Sequence, residues 1–171
     1  MCIRDSIKSI LEPLAAEGTT VAMSDEALID EVSSGNFSVM ERDRKVNACA
    51  ALRRYPARAE TGAETGAETG AETDAETDAE TDAEVAEVAA FAVRPGYRNE
   101  GRGDQMLGYL EPRARSAGIE KLFLLTTRTA DWFTQRGFIH AGAAVDSPLL
   151  PPGKKAQEGR NSQLYIRALI E

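Results

Sequence analysis

The apolar residues of this chain recur at two spacings, which predict an alternation of helices and strands. Spacings of three and four residues indicate amphipathic helices, and short alternating or unbroken apolar runs indicate strands. The predicted helices run from Ile7 to a stop at Gly18, from a capping Ser24 through Val32, from Arg102 to Ala117 and from Thr129 to Arg136. The predicted strands are Thr19–Met23, Phe37–Glu41, Val46–Leu52, Val85–Val93, Leu122–Leu125, Phe138–Ala141 and Gln163–Ile170.

The order of these elements predicts an α+β fold. Strand, helix and buried strand follow one another from Val85 to Thr126, which is the pattern of a right-handed βαβ unit. A polar turn at Asp43–Arg44 joins the two strands before it as a hairpin, and the last two strands are expected to be antiparallel. We therefore expect a mixed, mostly antiparallel sheet flanked by helices. Pro112 is expected to kink the helix that contains it, with Gly108 relieving the strained turn.

An acidic low-complexity segment interrupts this pattern. Residues 59–84 repeat AETG three times and AETD three times, and end in AE. They offer no large apolar side chain to bury, so burial cannot offset the entropy lost on ordering them. We expect a disordered loop insertion, which is better explained as a repeat expansion than as an acidic tether for a basic partner.

The charge of the chain is concentrated in that insertion. The formal net charge is −8, from 28 acidic and 20 basic residues. Ten of the acidic residues lie in residues 59–84, so the rest of the chain carries 18 acidic and 20 basic groups. Nothing outside the insertion resembles the basic stripe of a nucleic-acid-binding protein, and no nucleic-acid partner is expected.

The sequence shows no pattern of secretion or membrane insertion. No apolar run approaches the roughly 18 residues of a membrane span, and no signal-peptide pattern follows Met1. Cys2 and Cys49 cannot make a disulfide framework, and no Cys or His residues have zinc-site spacing, so no metal is expected. We expect a protein of the cytoplasm or of an organelle interior, such as a plastid. Residues 1–6 are expected to be a non-native tail, with one domain over residues 7–171.

A glycine-rich segment follows the predicted strand Val85–Val93 and opens the next helix. Gly101 and Gly103 let backbone N–H groups approach a ligand closely, and these groups are the unpaired donors of a helix N-terminus. Arg98 and Arg102 are expected to add positive charge beside them. The segment has neither GxGxxG nor GK[ST], so it is no dinucleotide fingerprint or Walker loop. It predicts a pyrophosphate cradle; the alternative is a glycine-rich connection that binds nothing.

The chain resembles a known family at this segment and beyond it. Arg98-x-x-Gly101-x-Gly103 matches the R/Q-x-x-G-x-G/A signature of the GCN5-related N-acetyltransferases, the GNAT superfamily. Residues 122–133, LFLLTTRTADWF, resemble the acetyltransferase domain of the N-acetylglutamate synthases, or amino-acid N-acetyltransferases. Shorter similar stretches are residues 48–52, 87–90, 136–138 and 159–162. The resemblance extends from about Ile7 to Leu169, interrupted by the acidic repeat.

The resemblance implies a GNAT fold, acetyl-CoA as co-substrate and L-glutamate as acceptor. The implied reaction transfers acetyl to the α-amine of glutamate by direct attack, the first step of arginine biosynthesis. It also implies an upstream amino-acid-kinase-like domain, missing from this sequence, and a homo-oligomer. The residues implied to contact CoA are Ala92, Val93, Arg98, Glu100, Gly101, Arg102, Gly103, Asp104 and Phe133.

Catalysis needs a base for the substrate ammonium, and Glu87 stands alone among small apolar residues of a predicted central strand. Glu87 is either this base, acting through water as the resemblance implies, or a buried partner of an arginine. Backbone N–H groups near Ala90 to Ala92 are the family's oxyanion donors. Phe133 replaces the tyrosine that many members use to protonate the thiolate. The resemblance implies that the Thr126 hydroxyl takes this role; the alternative is a structural threonine at the end of its strand. Cys49 lies in an apolar strand and is expected to be a buried free thiol, not a nucleophile.

The two carboxylates of glutamate call for arginines. The resemblance implies Arg160 and Ser162 as a substrate-binding pair, with Ala90 and Arg128 expected at the same cleft. The alternative for Arg128 is a structural salt bridge to an acidic residue. Lys154 and Lys155 match basic residues of the family, or are simply solvated. The family's basic residues before the helix-capping hydroxyl are replaced by Ala22-Met23. Two alternatives therefore stay open: an acetyltransferase for another amine, and a non-catalytic CoA-binding regulatory module.

Overall fold

The structure, a computed structural model, describes residues 2–55 and 84–169. Four helices are described: α1 (Ile3–Ala16), α2 (Asp25–Ser33), α3 (Arg102–Ser116) and α4 (Ala130–Thr134). Six strands are described: β1 (Phe37–Arg42), β2 (Lys45–Tyr55), β3 (Val85–Val93), β4 (Lys121–Thr126), β5 (Ile139–Ala143) and β6 (Gln163–Ala168). The predicted acidic insertion, residues 59–84, lies outside the described residues except for Glu84.

The strands form one mixed sheet in the order β1-β2-β3-β4-β6-β5. Only β3 and β4 are parallel within the described sheet, and α3 connects them, so the predicted βαβ unit is confirmed. The β1–β2 hairpin and the antiparallel pairing of β5 with β6 are also confirmed. The predicted mixed, mostly antiparallel sheet is therefore correct.

Helices cover both faces of this sheet. On one face, Leu107 and Leu110 of α3 pack with Ala48 and Leu52 of β2. On the other face, Ile7 of α1 belongs to a second apolar cluster with Leu28 of α2 and with Val46 and Cys49 of β2. Side chains of β2 thus support both layers, and the bulge against β1 between Ala48 and Val46 interrupts their strict alternation.

Local sequence features set the helix boundaries. The Ser24 hydroxyl accepts a hydrogen bond from the Ala27 N–H at 3.2 Å, which caps α2 as predicted. Helix α3 continues across Pro112. A Cβ at Gly108 would meet no heavy atom within 4 Å outside the helix's own backbone, so among the described residues a methyl group there would not touch the ring of Pro112.

Two predictions near the N-terminus differ from the structure. Residues 19–23, predicted as a strand, form no strand, because the Thr19 and Thr20 N–H groups donate to the Leu14 carbonyl at the end of α1 (2.8 and 3.3 Å). Helix α1 begins at Ile3 instead of Ile7, so part of the expected non-native tail forms its first turn, and Ser6 is buried. The foreign origin of that tail stays a prediction.

Candidate active site

A cleft opens where β3 and β4 separate. Their parallel pairing ends at Glu87 opposite Phe123, although both strands continue beyond these residues. On its other edge, β3 has a bulge against β2, and Ala90 in the bulge has a φ of +48°. Left-handed backbone is strained for alanine, and bulges redirect a strand locally. The bulge therefore accompanies the separation of the two strands and leaves their facing edges open.

Two adjoining cavities occupy this cleft. The first, the Glu87 cavity, has a volume of about 780 Å³ and is lined by residues including Glu87, Ala90, Thr126, Lys154, Arg160 and Ser162. The second, the phosphate-loop cavity, has a volume of about 880 Å³ and is lined by residues including Val93, Arg98, Gly101, Gly103 and Trp132. Phe91, Thr129 and Phe133 line both. The cavities therefore adjoin, which suits a two-substrate reaction.

The phosphate-loop cavity has the features of an anion site. Gly101 has a φ of +76° and directly precedes α3, whose 15 residues direct the positive end of their dipole at the cavity. A Cβ on Gly103 would lie 2.7 Å from Cζ2 of Trp132, so only glycine fits against this ring. The unpaired N–H groups of the first helical turn are therefore held close to any pyrophosphate bound there.

Arg102 was predicted to add positive charge to the loop, but its charge is balanced by a neighbouring carboxylate. Its guanidinium donates to the Glu100 carboxylate at 2.6 Å and lies 4.9 Å from the centre of the Tyr97 ring, which balances its charge. Asp104 is paired with Arg136 at 2.5 and 2.9 Å, and this hydrogen bond lowers the pKa of Asp104. Arg98 has no acidic partner among the described residues and lines the phosphate-loop cavity, so its charge is available to a ligand there.

Glu87 occupies the floor of the Glu87 cavity and is 5% exposed. The Lys154 ammonium lies 2.8 Å from both of its carboxylate oxygens, and the Arg53 guanidinium lies 3.5 Å from Oε2. Tyr55 donates its hydroxyl to the same oxygen at 3.3 Å. Burial, with the Glu87 charge adding to it, raises the pKa of Tyr55 to about 12, which keeps it a donor. Glu87 therefore both faces the cavity and pairs with cations.

The Arg160 guanidinium closes one wall of this cavity. It donates to the carbonyls of Gly18 and Thr20 at 3.1 and 3.2 Å, which fixes the coil after α1 in place of the predicted strand. Ser162, which is 6% exposed, lines the same cavity. The structure thus brings Arg160, Ser162 and Glu87 together, as expected from the sequence.

Thr126 ends β4 beside Thr129. Its hydroxyl oxygen accepts from the Arg128 and Thr129 N–H groups at 3.3 and 3.1 Å and lies 2.9 Å from the Thr129 hydroxyl oxygen. These contacts stabilise the turn after β4. Because Thr129 lines both cavities, the pair of hydroxyls stands where the cavities meet.

Arg128 and Glu100 are placed differently from what the sequence implied. Arg128 lines the phosphate-loop cavity and not the Glu87 cavity, which Arg160 and Ser162 line. Glu100 is not among the residues that line either cavity, and its carboxylate pairs with Arg102. Arg128 therefore belongs to the other half of the cleft from Arg160.

Three residues of the site were missed or undervalued in the sequence. The sequence does not decide whether Lys154 is a basic residue of the site or a solvated one, and it gives no signal for Arg53 or Thr129. The strand register supplies the missing information for Arg53, which lies directly opposite Glu87 in the β2–β3 pair. By contrast, Cys49 is a fully buried free thiol, as predicted, and burial raises its pKa to about 12.

Within residues 2–55 and 84–169, no helix is long and apolar enough to cross a membrane. Within the same ranges, no three His, Cys, Asp or Glu side chains are grouped as metal ligands would be.

Comparison with known proteins adds relatives of similar sequence and structure. The amino-acid acetyltransferase of Mannheimia succiniciproducens is 38% identical over 164 residues, covering 95% of this chain and 30% of that protein. The enzyme of the same name from Pseudomonas putida strain GB-1 is 37% identical over 163 residues, covering 94% of this chain and 30% of that protein. This chain therefore spans about a third of the length of the curated relatives that it matches.

Solved structures include a protein of related activity. N-acetylglutamate synthase from Neisseria gonorrhoeae, in complex with coenzyme A and N-acetyl-glutamate, superposes with a TM-score of 0.72 at 30% identity, covering 98% of this chain and 33% of that one. The model of the acetyltransferase (GNAT) family matches residues 5–138. The sheet with its separated strands, the glycine-rich helix start and this match lead to one conclusion: the chain belongs to the acetyltransferase (GNAT) family.

Proposed function

We propose that this chain is an acetyltransferase domain that transfers the acetyl group of acetyl-CoA to the α-amine of L-glutamate, the first step of arginine biosynthesis. One observation carries the proposal. A buried carboxylate, Glu87, shares a cavity with Lys154 and Arg160, and this cavity joins an anion site at the start of a long helix. A base, a cationic acceptor site and a pyrophosphate site in one cleft fit this reaction.

The relatives support the choice of substrate. Two are amino-acid acetyltransferases, and the Neisseria gonorrhoeae structure is of N-acetylglutamate synthase with coenzyme A and N-acetyl-glutamate. This chain spans about a third of each of these proteins, and their activity supports the proposal.

On the CoA side, the chain offers donors for a pyrophosphate and an apolar wall. The N–H groups at Gly101 to Asp104 would hold the pyrophosphate, with Arg98 adding a full charge. Ala92, Val93 and Phe133 line the path towards Glu87. We assign Arg128 to this side as well, since it lines the phosphate-loop cavity.

In the reaction, Glu87 accepts a proton from the glutamate ammonium through water, which leaves a nucleophilic amine. The amine nitrogen forms a bond to the thioester carbonyl carbon, the carbon–sulfur bond breaks, and the proton that the nitrogen loses passes to the departing thiolate. The N–H groups of the strained segment Ala90 to Ala92 serve as oxyanion donors. The Thr126 and Thr129 hydroxyls lie where the cavities meet and can donate to the departing thiolate. The products are N-acetylglutamate and the free thiol of CoA.

On the acceptor side, Arg160 and Ser162 would bind one carboxylate of glutamate. The residues before the capping Ser24 are Ala22 and Met23, which line the cavity but carry no charge. The same cavity is also lined by Lys154. An acidic amino acid would therefore find two cations in this cavity, Arg160 and Lys154, for the two carboxylates of glutamate.

We further propose that the working protein includes an upstream amino-acid-kinase-like domain and is a homo-oligomer. The share of the relatives that this chain leaves unmatched supports the additional domain. The Neisseria gonorrhoeae synthase has also been solved with coenzyme A and L-arginine, which supports arginine as an effector of the complete protein. Residence in the cytoplasm or a plastid belongs to the same proposal.

The test is the release of free thiol from acetyl-CoA in the presence of each amino acid. We expect turnover with glutamate above all others, and a loss of about 100-fold or more in Glu87→Gln. Glu111→Gln is the matched control, because Glu111 is also an ion-paired carboxylate, bound to Arg167, but lies outside both cavities. Tight CoA binding with no turnover on any amine would favour the non-catalytic module, and preference for another amine would favour the second alternative.

A further inference from the structure

The proposed base is occupied by a lysine from a distant loop. Lys154 follows the turn at Pro152-Gly153, and its ammonium contacts both oxygens of Glu87 at 2.8 Å. The two side chains are 15% and 6% exposed, so the pair is largely withdrawn from water. This contact joins the loop before β6 to the strand that carries the base.

Oε2 of Glu87 has two further neighbours. Tyr55 donates to it at 3.3 Å and Arg53 lies 3.5 Å from it, while Arg53 donates to Glu31 at 2.5 Å. Oε1 contacts Lys154 alone among the described side chains. A carboxylate has about four lone-pair positions, so release of Lys154 would clear Oε1 for a water that carries the substrate proton.

Lys154 is the partner that can leave. Tyr55 and Arg53 belong to β2, whose register against β3 fixes them opposite or near Glu87. Lys154 is on a loop, and lysine is a point charge on a flexible four-carbon stem. A partly buried ammonium without a counter-charge is unfavourable, so Lys154 needs another anion if it leaves Glu87.

We propose that Lys154 selects anionic acceptors by exchanging Glu87 for a carboxylate of the bound substrate. This rests on the proposed function and specifies how the acceptor is recognised. A carboxylate entering the Glu87 cavity takes the ammonium, and Glu87 becomes free to accept the proton of the substrate amine. An acceptor that lacks this carboxylate leaves Lys154 on Glu87, so the base stays occupied. Lys154 is therefore a specificity-determining residue that acts on catalysis through Glu87.

The first test compares glutamate with its two monoamides, glutamine and isoglutamine. In Lys154→Met we expect the KM for glutamate to rise about tenfold or more, because a desolvated charge pair is lost. The kcat for the amide lacking the carboxylate that Lys154 binds should stay equal or rise, so discrimination falls. A merely structural role would lower kcat for all acceptors alike. Lys154→Arg should retain most of the discrimination.

The matched control is Lys8→Met, which removes a lysine–carboxylate pair of 2.6 Å to Asp25, outside both cavities. This variant should keep the discrimination of the unmodified protein. Unchanged discrimination in Lys154→Met would overturn the proposal, as would an equal change in Lys8→Met.

Two further measurements test the exchange at Lys154 if the variant does not fold or if the protein has no activity. If Lys154→Met fails to fold, glutamine turnover by the unmodified protein should rise when acetate is added, because acetate supplies the missing carboxylate. No rise with either amide would then contradict the exchange. If the protein binds CoA but turns over no amine, the proposed function fails. Calorimetry with CoA present then decides the inference: Lys154→Met should weaken glutamate binding selectively, and equal affinity in both proteins would refute it.

Discussion

The contact between Gly103 and Trp132 allows a quantitative prediction for the phosphate loop. A methyl group at residue 103 would lie 2.7 Å from Cζ2 of Trp132 and 3.4 Å from two further ring atoms. The ring cannot move away freely, because it packs against Phe91 and Phe133 with centroids 5.4 and 4.9 Å apart. Arg136 stacks on it at 3.7 Å and also pairs with Asp104 on α3.

Gly103→Ala should therefore separate α3 from α4 at the CoA site. Overpacking of this kind costs about 1–3 kcal/mol, so we expect the free energy of unfolding in urea to fall by that amount. The N–H groups at the start of α3 would move with the backbone, and N–H groups displaced by about an ångström lose their hydrogen bonds to the pyrophosphate. CoA affinity measured by calorimetry should therefore fall about tenfold or more.

Gly108→Ala is the matched control on the same helix. A Cβ there meets no described heavy atom within 4 Å, and alanine is a better helix former than glycine by about 1 kcal/mol. This variant should be as stable as the unmodified protein or more stable, with normal CoA affinity. In addition, Trp132→Leu should partly restore CoA binding to Gly103→Ala. Normal binding and stability in Gly103→Ala, or equal damage in Gly108→Ala, would refute this explanation of the glycine.

Three other predictions follow from the site and its surroundings. Arg128→Ala should weaken CoA binding in calorimetry while the KM for glutamate stays unchanged, because Arg128 lines the phosphate-loop cavity and not the Glu87 cavity. A rise in the glutamate KM alone would instead support the role in glutamate binding expected from the sequence. A thiol reagent at pH 8 should label the exposed Cys2 in the native protein and should label Cys49 only after denaturation, because burial raises the Cys49 pKa to about 12. Rapid labelling of both cysteines in the native protein would contradict the burial of Cys49. The Arg136 hydrogen bond lowers the pKa of Asp104 in the folded protein. The stabilisation from this pair is therefore complete above the ordinary Asp pKa and is lost as the pH falls through the lowered pKa. Arg136→Met should remove that part of the pH dependence of urea unfolding, and an unchanged pH profile would contradict the pairing.

Much of the fold follows from periodicity in the sequence. The hairpin and the strand–helix–strand unit from Val85 to Thr126 were predictable because their apolar residues alternate or repeat at helical spacing and short turns join them. The predicted strand at residues 19–23 was wrong for a reason outside its own sequence. Its backbone groups bond to the end of α1 and to the side chain of Arg160, which is distant in the chain.

The site was predictable where a motif is local. Glu87 and the loop around Gly101 and Gly103 could be found because a lone carboxylate in an apolar strand and a glycine-rich helix start are visible in short segments. The Lys154–Glu87 contact joins residues 67 positions apart through a loop without periodicity, so it required the structure. The position of Arg128 likewise depends on the turn after Thr126, whose direction the sequence does not specify.

The most direct test of the central claim is to incubate the protein with carbon-13-labelled acetyl-CoA and glutamate and to identify the product by NMR and mass spectrometry. We predict labelled N-acetylglutamate, formed in equal amount to free CoA thiol and strongly reduced in Glu87→Gln, while this variant still binds CoA. Thiol release without an N-acetylated product, or undiminished product from Glu87→Gln, would contradict acetyl transfer to the glutamate amine with Glu87 as its base.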